Sequence, residues 1–276
     1  NKAADAGYKV IVLLTGTIEK LRQQTQARID EGFIGIDTSD LERERRNNPI
    51  GVGLINGGIS VSSFTSIIKD FNKSVLTNSN VPLDSLSIPL ILVVKKNKAV
   101  LNSIYKLFNG EKKDQTYNKI NQSLLFIDDE ADNASINTNS QDDDPTSINK
   151  SIRRILGLFM RSSYVGYTAT PYANVFIEPN TKEDMENEDL FPKDYIYVLQ
   201  PPSNYIGARE IYSEEGQYKT MYRVIDDFEE FLPLKHKKDY ELPLDIPLTL
   251  KKAILSFLIA NAIRDLRGDL TTHRSM

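Results

Sequence analysis

The stretch LLFIDDEADNAS, residues 124–135, carries the strongest fold signal in the chain, because its four leading apolar residues run directly into an acidic cluster. A short, continuous apolar run is typical of a strand that is buried on both faces of a parallel sheet. In open parallel sheets, ligands bind outside the carboxyl ends of the strands. We therefore expect a buried strand whose acidic end lies at a functional edge.

Further apolar runs of the same character lie on either side of this strand, at residues 8–14, 88–94 and 164–167. The stretches between them have helical periodicity, and strands that alternate with helices predict an α/β fold with a parallel sheet. Polar clusters follow the ends of three of the four runs, at residues 15–17, 128–132 and 168–170. A parallel sheet would bring these clusters to one edge.

Capping residues locate the helices between the strands. Thr17 is a candidate N-cap, Asn97 is a second, and Asp144 before Pro145 is a third. The first of these helices would bury the stripe Ile18, Leu21, Thr25 and Ile29, and the third would run through Ile148, Ile152, Ile155, Leu156 and Phe159. Residues 34–84 indicate an insertion or a variable edge, residues 195–200 a further strand, and the region around Leu250 a long amphipathic helix.

Composition excludes several classes of site. The 276 residues contain no Cys and two His, so neither a Cys-based zinc site nor a Ser-His-Asp triad is supported. With a net charge of -4, the chain has no overall positive charge that would attract nucleic acid, although a basic groove can lie on an acidic protein. No apolar run is long enough to span a bilayer and no signal peptide is visible, so we expect a cytoplasmic protein without a membrane partner.

The acidic cluster matches a Walker-B arrangement. Asp129 stands where it can hold Mg²⁺, with Asp128 as a possible substitute, and Glu130 can orient or deprotonate the attacking water in phosphoanhydride hydrolysis. Asp132 can hydrogen-bond across the edge and sense the state of the site. The competing interpretation is an acidic, solvated loop after a strand.

A Thr-Ala-Thr-Pro turn follows the next predicted strand, at residues 168–171. By itself it is compatible with an ordinary capped turn. Together with the acidic cluster it becomes a stronger signal, because the hydroxyls of Thr168 and Thr170 can bond to Asp132 or Glu130. We therefore predict that these hydroxyls relay nucleotide state to a neighbouring surface.

Both motifs resemble those of superfamily-two helicase and translocase motors, in which a Walker-B string precedes a Ser/Thr-Ala-Thr motif. More narrowly, the chain resembles the Z-one domain family, through VIVLLTGTIEKLRQQTQARIDEGFIG, ILVVKKNKAVL, FIDDEADNASINT, YVGYTATPYANVFI, PPSNYIGARE and HRSM. That family comprises helicase-like ATPases, often labelled putative endonucleases, of bacterial restriction and phage-defence loci. The resemblance implies a RecA-like P-loop NTPase lobe and an ATP- and Mg²⁺-dependent motor on DNA. It also implies a partner nuclease or methyltransferase.

Thr15, Thr17, Arg22 and Gln24 match the place where motors of this superfamily put a motif that contacts the DNA backbone. Hydroxyls, amides and helix N-termini suit sugar-phosphate contacts that do not read sequence. A capped surface helix remains the alternative for these residues. The neighbouring lysines, Lys95, Lys96 and Lys98, are better interpreted as a solvated face than as part of the same track.

The sequence departs from the family in one respect: it contains no G-x-x-x-x-G-K-[ST] phosphate loop, so no residue of the chain is predicted to grip the phosphates of ATP. The resemblance places that loop before Asn1 and most of a second motor lobe after Met276. We accordingly expect a motor lobe at residues 1–177, a connector or insertion at 178–246, and the start of the second lobe or a packing helix at 247–276.

Two other function classes stay open. An Mg²⁺-dependent endonuclease would use the same carboxylates on a phosphodiester, but the chain has no convincing P-D…(D/E)-x-K pattern and the Thr-Ala-Thr turn would be unexplained. A non-catalytic assembly module would account for the missing phosphate loop. The motor remains the leading hypothesis.

Overall fold

A computed structural model describes residues 1–39, 48–56, 61–71, 83, 86–111, 114–135, 147–172, 190, 192–229 and 231–270. Its centre is a five-stranded, all-parallel sheet in the order β2-β3-β1-β4-β5. The strands are β1 (Val10–Thr15), β2 (Ser62–Ser63), β3 (Leu90–Lys95), β4 (Ile120–Asp129) and β5 (Phe159–Tyr167). The predicted α/β class and parallel sheet are therefore confirmed.

The helices of the described residues are α1 (Lys2–Asp5), α2 (Glu19–Ile29), α3 (Val52–Asn56), α4 (Lys98–Asn109), α5 (Ser147–Gly157), α6 (Ala208–Tyr212) and α7 (Leu248–Leu266). A π-helical turn, Asp30–Ile34, continues α2 and ends at Gly35, whose left-handed φ of 84° suits a residue without a Cβ. The predicted cap of α4 is confirmed, because the Asn97 side chain accepts a 2.8 Å hydrogen bond from the Ala99 amide.

Strand β1 is the central strand of the sheet and pairs with β3 on one side and β4 on the other. Val12 pairs with Leu92 of β3 on one side and with Phe126 of β4 on the other. These residues belong to the larger apolar core, in which Ile104 of α4 and Ile152 of α5 are also buried. The continuous apolar runs thus form a sheet covered on this face by two helices.

Helix α2 departs from the predicted packing. Only part of the expected apolar stripe is buried: Ile18 is 59% and Leu21 39% exposed, whereas Ile29 packs against a smaller apolar cluster. The buried face instead carries the polar residues Arg22, Gln26 and Asp30, one helical turn apart. Such a face can be buried only when each polar group finds a partner.

A hydrogen-bonded chain of side chains satisfies this polar face. Gln26 Nε2 donates to Asp30 Oδ1 at 2.8 Å, and Gln26 Oε1 accepts from the Thr65 hydroxyl at 2.8 Å. Burial raises the pKa of Asp30 above its usual value, while hydrogen bonds from Thr38 and Gln26 act in the opposite direction. The network ties α2 to the weakly patterned segment that carries β2.

Other local predictions need correction. Ile18 rather than Thr17 occupies the N-cap of α2, and no side chain caps this helix. Phe159 begins β5 instead of continuing α5, which ends at Gly157. The stretch 195–200 forms no strand and is exposed. The proposed Asp144–Pro145 start of α5 lies outside the described residues.

The chain divides into two compact units, Asn1–Tyr197 and Val198–Met276. The first contains the sheet, whereas the second contains α6, α7 and a short 3-10 helix, Lys219–Met221. The expected boundary at 177/178 lies outside the described residues, and the one at 246/247 falls within the second unit. Helix α7 spans the predicted region, but none of its residues is buried. Among the helices described, none is long and apolar enough to cross a membrane.

Candidate active site

Four neighbouring strands end side by side and bring the predicted polar clusters to one edge. Leu14 of β1 is in register with Asp128 of β4, and Asp129 is in register with Tyr167 at the end of β5. Lys95 closes β3 beside Thr15 of β1. The acidic loop after β4 and the turn after β5 therefore leave the sheet at the same edge, as predicted.

The three acidic residues at the end of β4 have different surroundings. Asp128 is fully buried: its Oδ2 accepts a 2.7 Å hydrogen bond from the Tyr164 hydroxyl, and its Oδ1 lies 3.0 Å from Lys96 Nζ. Asp129 and Glu130 are exposed. Because Asp128 is enclosed by protein partners, it is not the carboxylate that faces a metal from solvent, and the possible metal role given to it is corrected.

Glu130 has an unusual backbone conformation and a side chain that lies over β1. Its φ is 53°, in the left-handed region that residues with a Cβ seldom adopt. A Cβ added to Gly16 would lie 2.7 Å from Glu130 Oε2. Glycine at position 16 thus leaves the space that the Glu130 carboxylate occupies, beside the carboxyl end of the central strand.

Asp132 joins the acidic loop to the Thr-Ala-Thr turn. Its Oδ1 accepts from the Thr168 hydroxyl and its Oδ2 from the Thr170 hydroxyl, both at 2.6 Å. The hydrogen bonds from Thr168 and then Thr170 lower the pKa of Asp132 below its ordinary value of 3.8. The predicted contact between the two motifs is present, and it uses Asp132 rather than Glu130.

Close packing beneath these bonds brings the two loops together. The Ala131 amide donates to the Tyr167 carbonyl at 2.9 Å, so the loop after β4 continues along β5 for one residue. A Cβ on Gly166 would come within 2.9 Å of the Ala131 Cβ, which is itself buried. A small residue in the loop after β4, Ala131, and another near the end of β5, Gly166, therefore allow the approach that Asp132 and the two threonines complete.

The four residues predicted to contact the DNA backbone differ in burial: two are buried and two are exposed. Thr15 is 1% exposed and its hydroxyl donates to the Val94 carbonyl at 3.2 Å. Arg22 is fully buried, and its guanidinium donates to the carbonyls of Ser66 at 3.0 Å and Ile67 at 2.9 Å. Thr17 and Gln24 are exposed.

This burial corrects the assignment of Thr15 and Arg22 to DNA-backbone contact. A side chain enclosed by its own protein cannot reach a phosphate in solvent, and the donors of Arg22 are already used by main-chain carbonyls and by Glu19. Arg22 holds the segment before β3 onto α2. The predicted roles of Thr17 and Gln24 stay predictions.

Sequence reasoning missed Lys96. The sequence predicts a solvated lysine face at Lys95, Lys96 and Lys98, but the side chain of Lys96 is fully buried whereas that of Lys95 is 29% exposed. The signal that could have found it is the alternation of a strand: successive residues at the end of β3 point to opposite sides. Tyr164, the second partner of Asp128, was likewise assigned only to a strand.

The exposed carboxylates at this edge belong to the chemical class that binds Mg²⁺. Hard carboxylate oxygens are the ligands that Mg²⁺ prefers, and this ion is commonly held by one or two carboxylates together with substrate phosphates. Asp129 and Glu130 offer two exposed carboxylates of this kind. Among the described residues, no group of three or more His, Cys, Asp or Glu side chains is placed to hold a metal ion. The assignment of Asp129 as the Mg²⁺ ligand stays a prediction from the sequence.

Comparison of the chain with protein-family models, with curated proteins and with solved structures gave no match.

Proposed function

We propose that the chain forms the RecA-like first lobe of an ATP-dependent, helicase-like DNA translocase that works in the bacterial cytoplasm as part of a restriction or phage-defence system. The observation that carries the proposal is the junction at Asp132, where Thr168 and Thr170 each donate to one carboxylate oxygen. It stands directly beside two exposed carboxylates at the carboxyl end of a central parallel strand. A motor needs carboxylates for hydrolysis and a contact that passes the state of the site to a neighbouring loop, and these two groups of residues would supply them.

Asp129 and Glu130 divide the hydrolytic work in this proposal. Asp129 would hold Mg²⁺, which neutralises negative charge on the phosphates when bound. Glu130 orients the attacking water and withdraws its proton, since its carboxylate projects over Gly16 and is free of the partners that enclose Asp128. No residue of the chain is assigned to grip the phosphates, because its sequence contains no G-x-x-x-x-G-K-[ST].

Asp132, Thr168 and Thr170 couple the site to motion. A shift of the acidic loop changes the position of Asp132, and its two hydrogen bonds transmit that shift to the turn that follows β5. Thr17, which precedes α2, and Gln24, in the middle of α2, are both exposed and are the proposed contacts to the DNA backbone. A partner nuclease or methyltransferase would use the resulting movement along DNA.

The endonuclease alternative is less well supported by the same geometry. A metal-dependent nuclease needs several carboxylates that converge on one phosphodiester. Here the charge of Asp128 is already paired with Lys96, and Asp132 is engaged by two threonines. That leaves Asp129 and Glu130, and the Thr-Ala-Thr turn would have no role in cleavage.

ATP hydrolysis by the full-length protein, with and without duplex DNA, tests the proposal. We expect Mg²⁺-dependent hydrolysis that DNA stimulates, and no plasmid nicking when ATP is absent. An Asp129→Ala variant should lose the hydrolysis, because the proposed metal ligand is removed. Mg²⁺-dependent nicking without ATP that disappears in Asp129→Ala would establish the nuclease alternative instead.

A further inference from the structure

The buried ammonium of Lys96 requires an explanation that the proposed chemistry does not give. Lys96 follows directly on β3, and its side chain is fully buried. Burial of an ammonium group is costly unless the charge is paired and its protons are hydrogen-bonded. The partners of Lys96 should therefore indicate what this side chain is for.

Lys96 reaches across the end of β1 to the loop that follows β4. Its Nζ donates to the main-chain carbonyl of Glu130 and, at 2.8 Å, to that of Asn133. The 3.0 Å contact with Asp128 Oδ1 is an ion pair without hydrogen-bond geometry. Two of the three partners of the ammonium are thus backbone groups of the acidic loop, and the third is the residue before Asp129.

These two carbonyls lie at the strained points of the loop. Glu130 has a φ of 53°, and the Asn133 carbonyl belongs to the peptide that precedes Ala134, whose φ is 63°. Non-glycine residues persist in the left-handed region only where their surroundings over-determine the conformation, and they concentrate at functional sites. Lys96 supplies that constraint from the β3 side of the loop.

The loop is also held from the opposite side. The Ala131 amide donates to the Tyr167 carbonyl of β5 at 2.9 Å, and Asp132 is bound by the two threonines. The turn is closed internally by the Asn133 amide, which donates to the Glu130 carbonyl at 2.9 Å. Without Lys96, the loop would keep its attachment to β5 but lose its attachment towards β1 and β3, on the side where the Glu130 carboxylate lies over Gly16.

We propose that Lys96 is a positioning residue that holds Glu130 in its strained conformation and so aims its carboxylate over the end of β1. The inference rests on the proposed function, since the direction of this carboxylate matters to a reaction only if Glu130 acts on water. It also makes a claim about the loop that can be tested without any reaction. Lys96 touches neither nucleotide nor water in this role.

The first test is Lys96→Met in the full-length protein, which keeps most of the length of the side chain and removes the ammonium. We expect kcat for ATP hydrolysis to fall at least about tenfold while KM for Mg-ATP changes by less than about threefold, because water activation rather than binding is impaired. Lys98→Met is the matched control. It removes the same charge from an exposed position two residues away, and both constants should stay at wild-type values.

A double variant separates positioning from simple charge balance. Lys96→Met leaves Asp128 buried with an unpaired charge, so the protein should lose stability as well as activity. Lys96→Met/Asp128→Asn removes that charge. We expect the melting temperature to recover while kcat remains at the level of the single variant, because the carbonyls of Glu130 and Asn133 still lack their donor. Recovery of kcat together with stability would reduce Lys96 to a structural counter-charge.

Hydrogen exchange distinguishes failure of the inference from failure of the proposed function. In the double variant, the amide of Asn133, which closes the turn onto the Glu130 carbonyl, should exchange at least about tenfold faster, whereas those of Val12 and Leu14 in β1 should be unchanged. Faster exchange in a protein without ATPase activity would keep the positioning role and reject the proposed reaction. Unchanged exchange, or unchanged kcat in an active Lys96→Met enzyme, would overturn the inference.

Discussion

Thr168 Oγ1 donates a 2.6 Å hydrogen bond to Asp132 Oδ1, across 36 residues of sequence. The bond joins the loop after β4 to the turn after β5, and Thr170 completes the junction on the second carboxylate oxygen. Because both loops leave the same edge of the sheet and are hydrogen-bonded to each other, we expect movement in one to displace the other. The proposed coupling of hydrolysis to motion depends on this junction.

Removal of both hydroxyls should uncouple the motor. In the full-length protein, we expect Thr168→Ala/Thr170→Ala to retain most ATP hydrolysis but to lose DNA translocation, because the proposed catalytic carboxylates are left in place. Thr168→Ser/Thr170→Ser keeps both donors and should behave like wild type in a triplex-displacement assay. Equal loss of hydrolysis and translocation in the Ala variant would indicate a structural role, and no loss would exclude the relay.

The same substitution should change the titration of Asp132. Its folded-state pKa lies below 3.8 because the two hydroxyls stabilise the charged form, so their contribution to stability is present above pH 3.8. That contribution is lost as the pH falls through the lower, folded-state pKa. In Thr168→Ala/Thr170→Ala, carboxyl ¹³C NMR should show the pKa of Asp132 rising towards 3.8. An unchanged pKa would mean that the bonds do not persist in solution.

Glu130→Gln should separate nucleotide binding from hydrolysis. The amide preserves the shape of the side chain but cannot take a proton from water, so kcat should fall by a factor of about 10²–10⁴ while the affinity for Mg-ATP is maintained. Single-turnover hydrolysis and equilibrium nucleotide binding measure the two effects. Glu214→Gln, an exposed position in the second unit, is the control for loss of one carboxylate. Wild-type turnover in Glu130→Gln would remove Glu130 from the site.

Arg22 and Gln24 should give opposite phenotypes although they are two residues apart. Arg22→Met leaves the carbonyls of Ser66 and Ile67 without their donor, so it should destabilise the fold by about 3 kcal/mol or more. Gln24→Ala changes an exposed side chain and should leave stability unchanged while it weakens DNA binding.

Urea-unfolding midpoints and fluorescence anisotropy with duplex DNA measure these two properties. Below its unfolding range, Arg22→Met should bind DNA as wild type does. Weaker DNA binding by a folded Arg22→Met protein would return Arg22 to the nucleic-acid surface, and normal DNA binding by Gln24→Ala would remove Gln24 from it.

Much of the sheet could be predicted from the sequence, because continuous apolar runs mark its strands. The runs predicted at residues 8–14, 88–94 and 164–167 became β1, β3 and β5, with ends that differ by several residues. The contact between Asp132 and the Thr-Ala-Thr turn was also predictable, since carboxyl ends of parallel strands share one edge. In each case a local pattern and one rule of sheet topology suffice.

Helix α2 shows why a local pattern can fail. Its apolar positions predicted a buried stripe through Ile18 and Leu21, yet both are exposed while Arg22 and Gln26 are buried. The outcome depends on Ser66 and Ile67, distant residues whose carbonyls meet the guanidinium, and on Thr65, which meets Gln26. Partners that satisfy a buried polar group are supplied by the fold, so periodicity within one helix does not reveal them.

The sequence by itself determined that an acidic cluster ends a buried parallel strand, because hydrophobicity and carboxylate chemistry are properties of the residues in that stretch. Only the tertiary structure decided which carboxylates are free. The strand order β3-β1-β4 brings Lys96 to Asp128, while Asp129 and Glu130 stay exposed. A buried charge needs a partner, and here the partner comes from a strand that is two positions away in the sheet and 32 residues away along the chain.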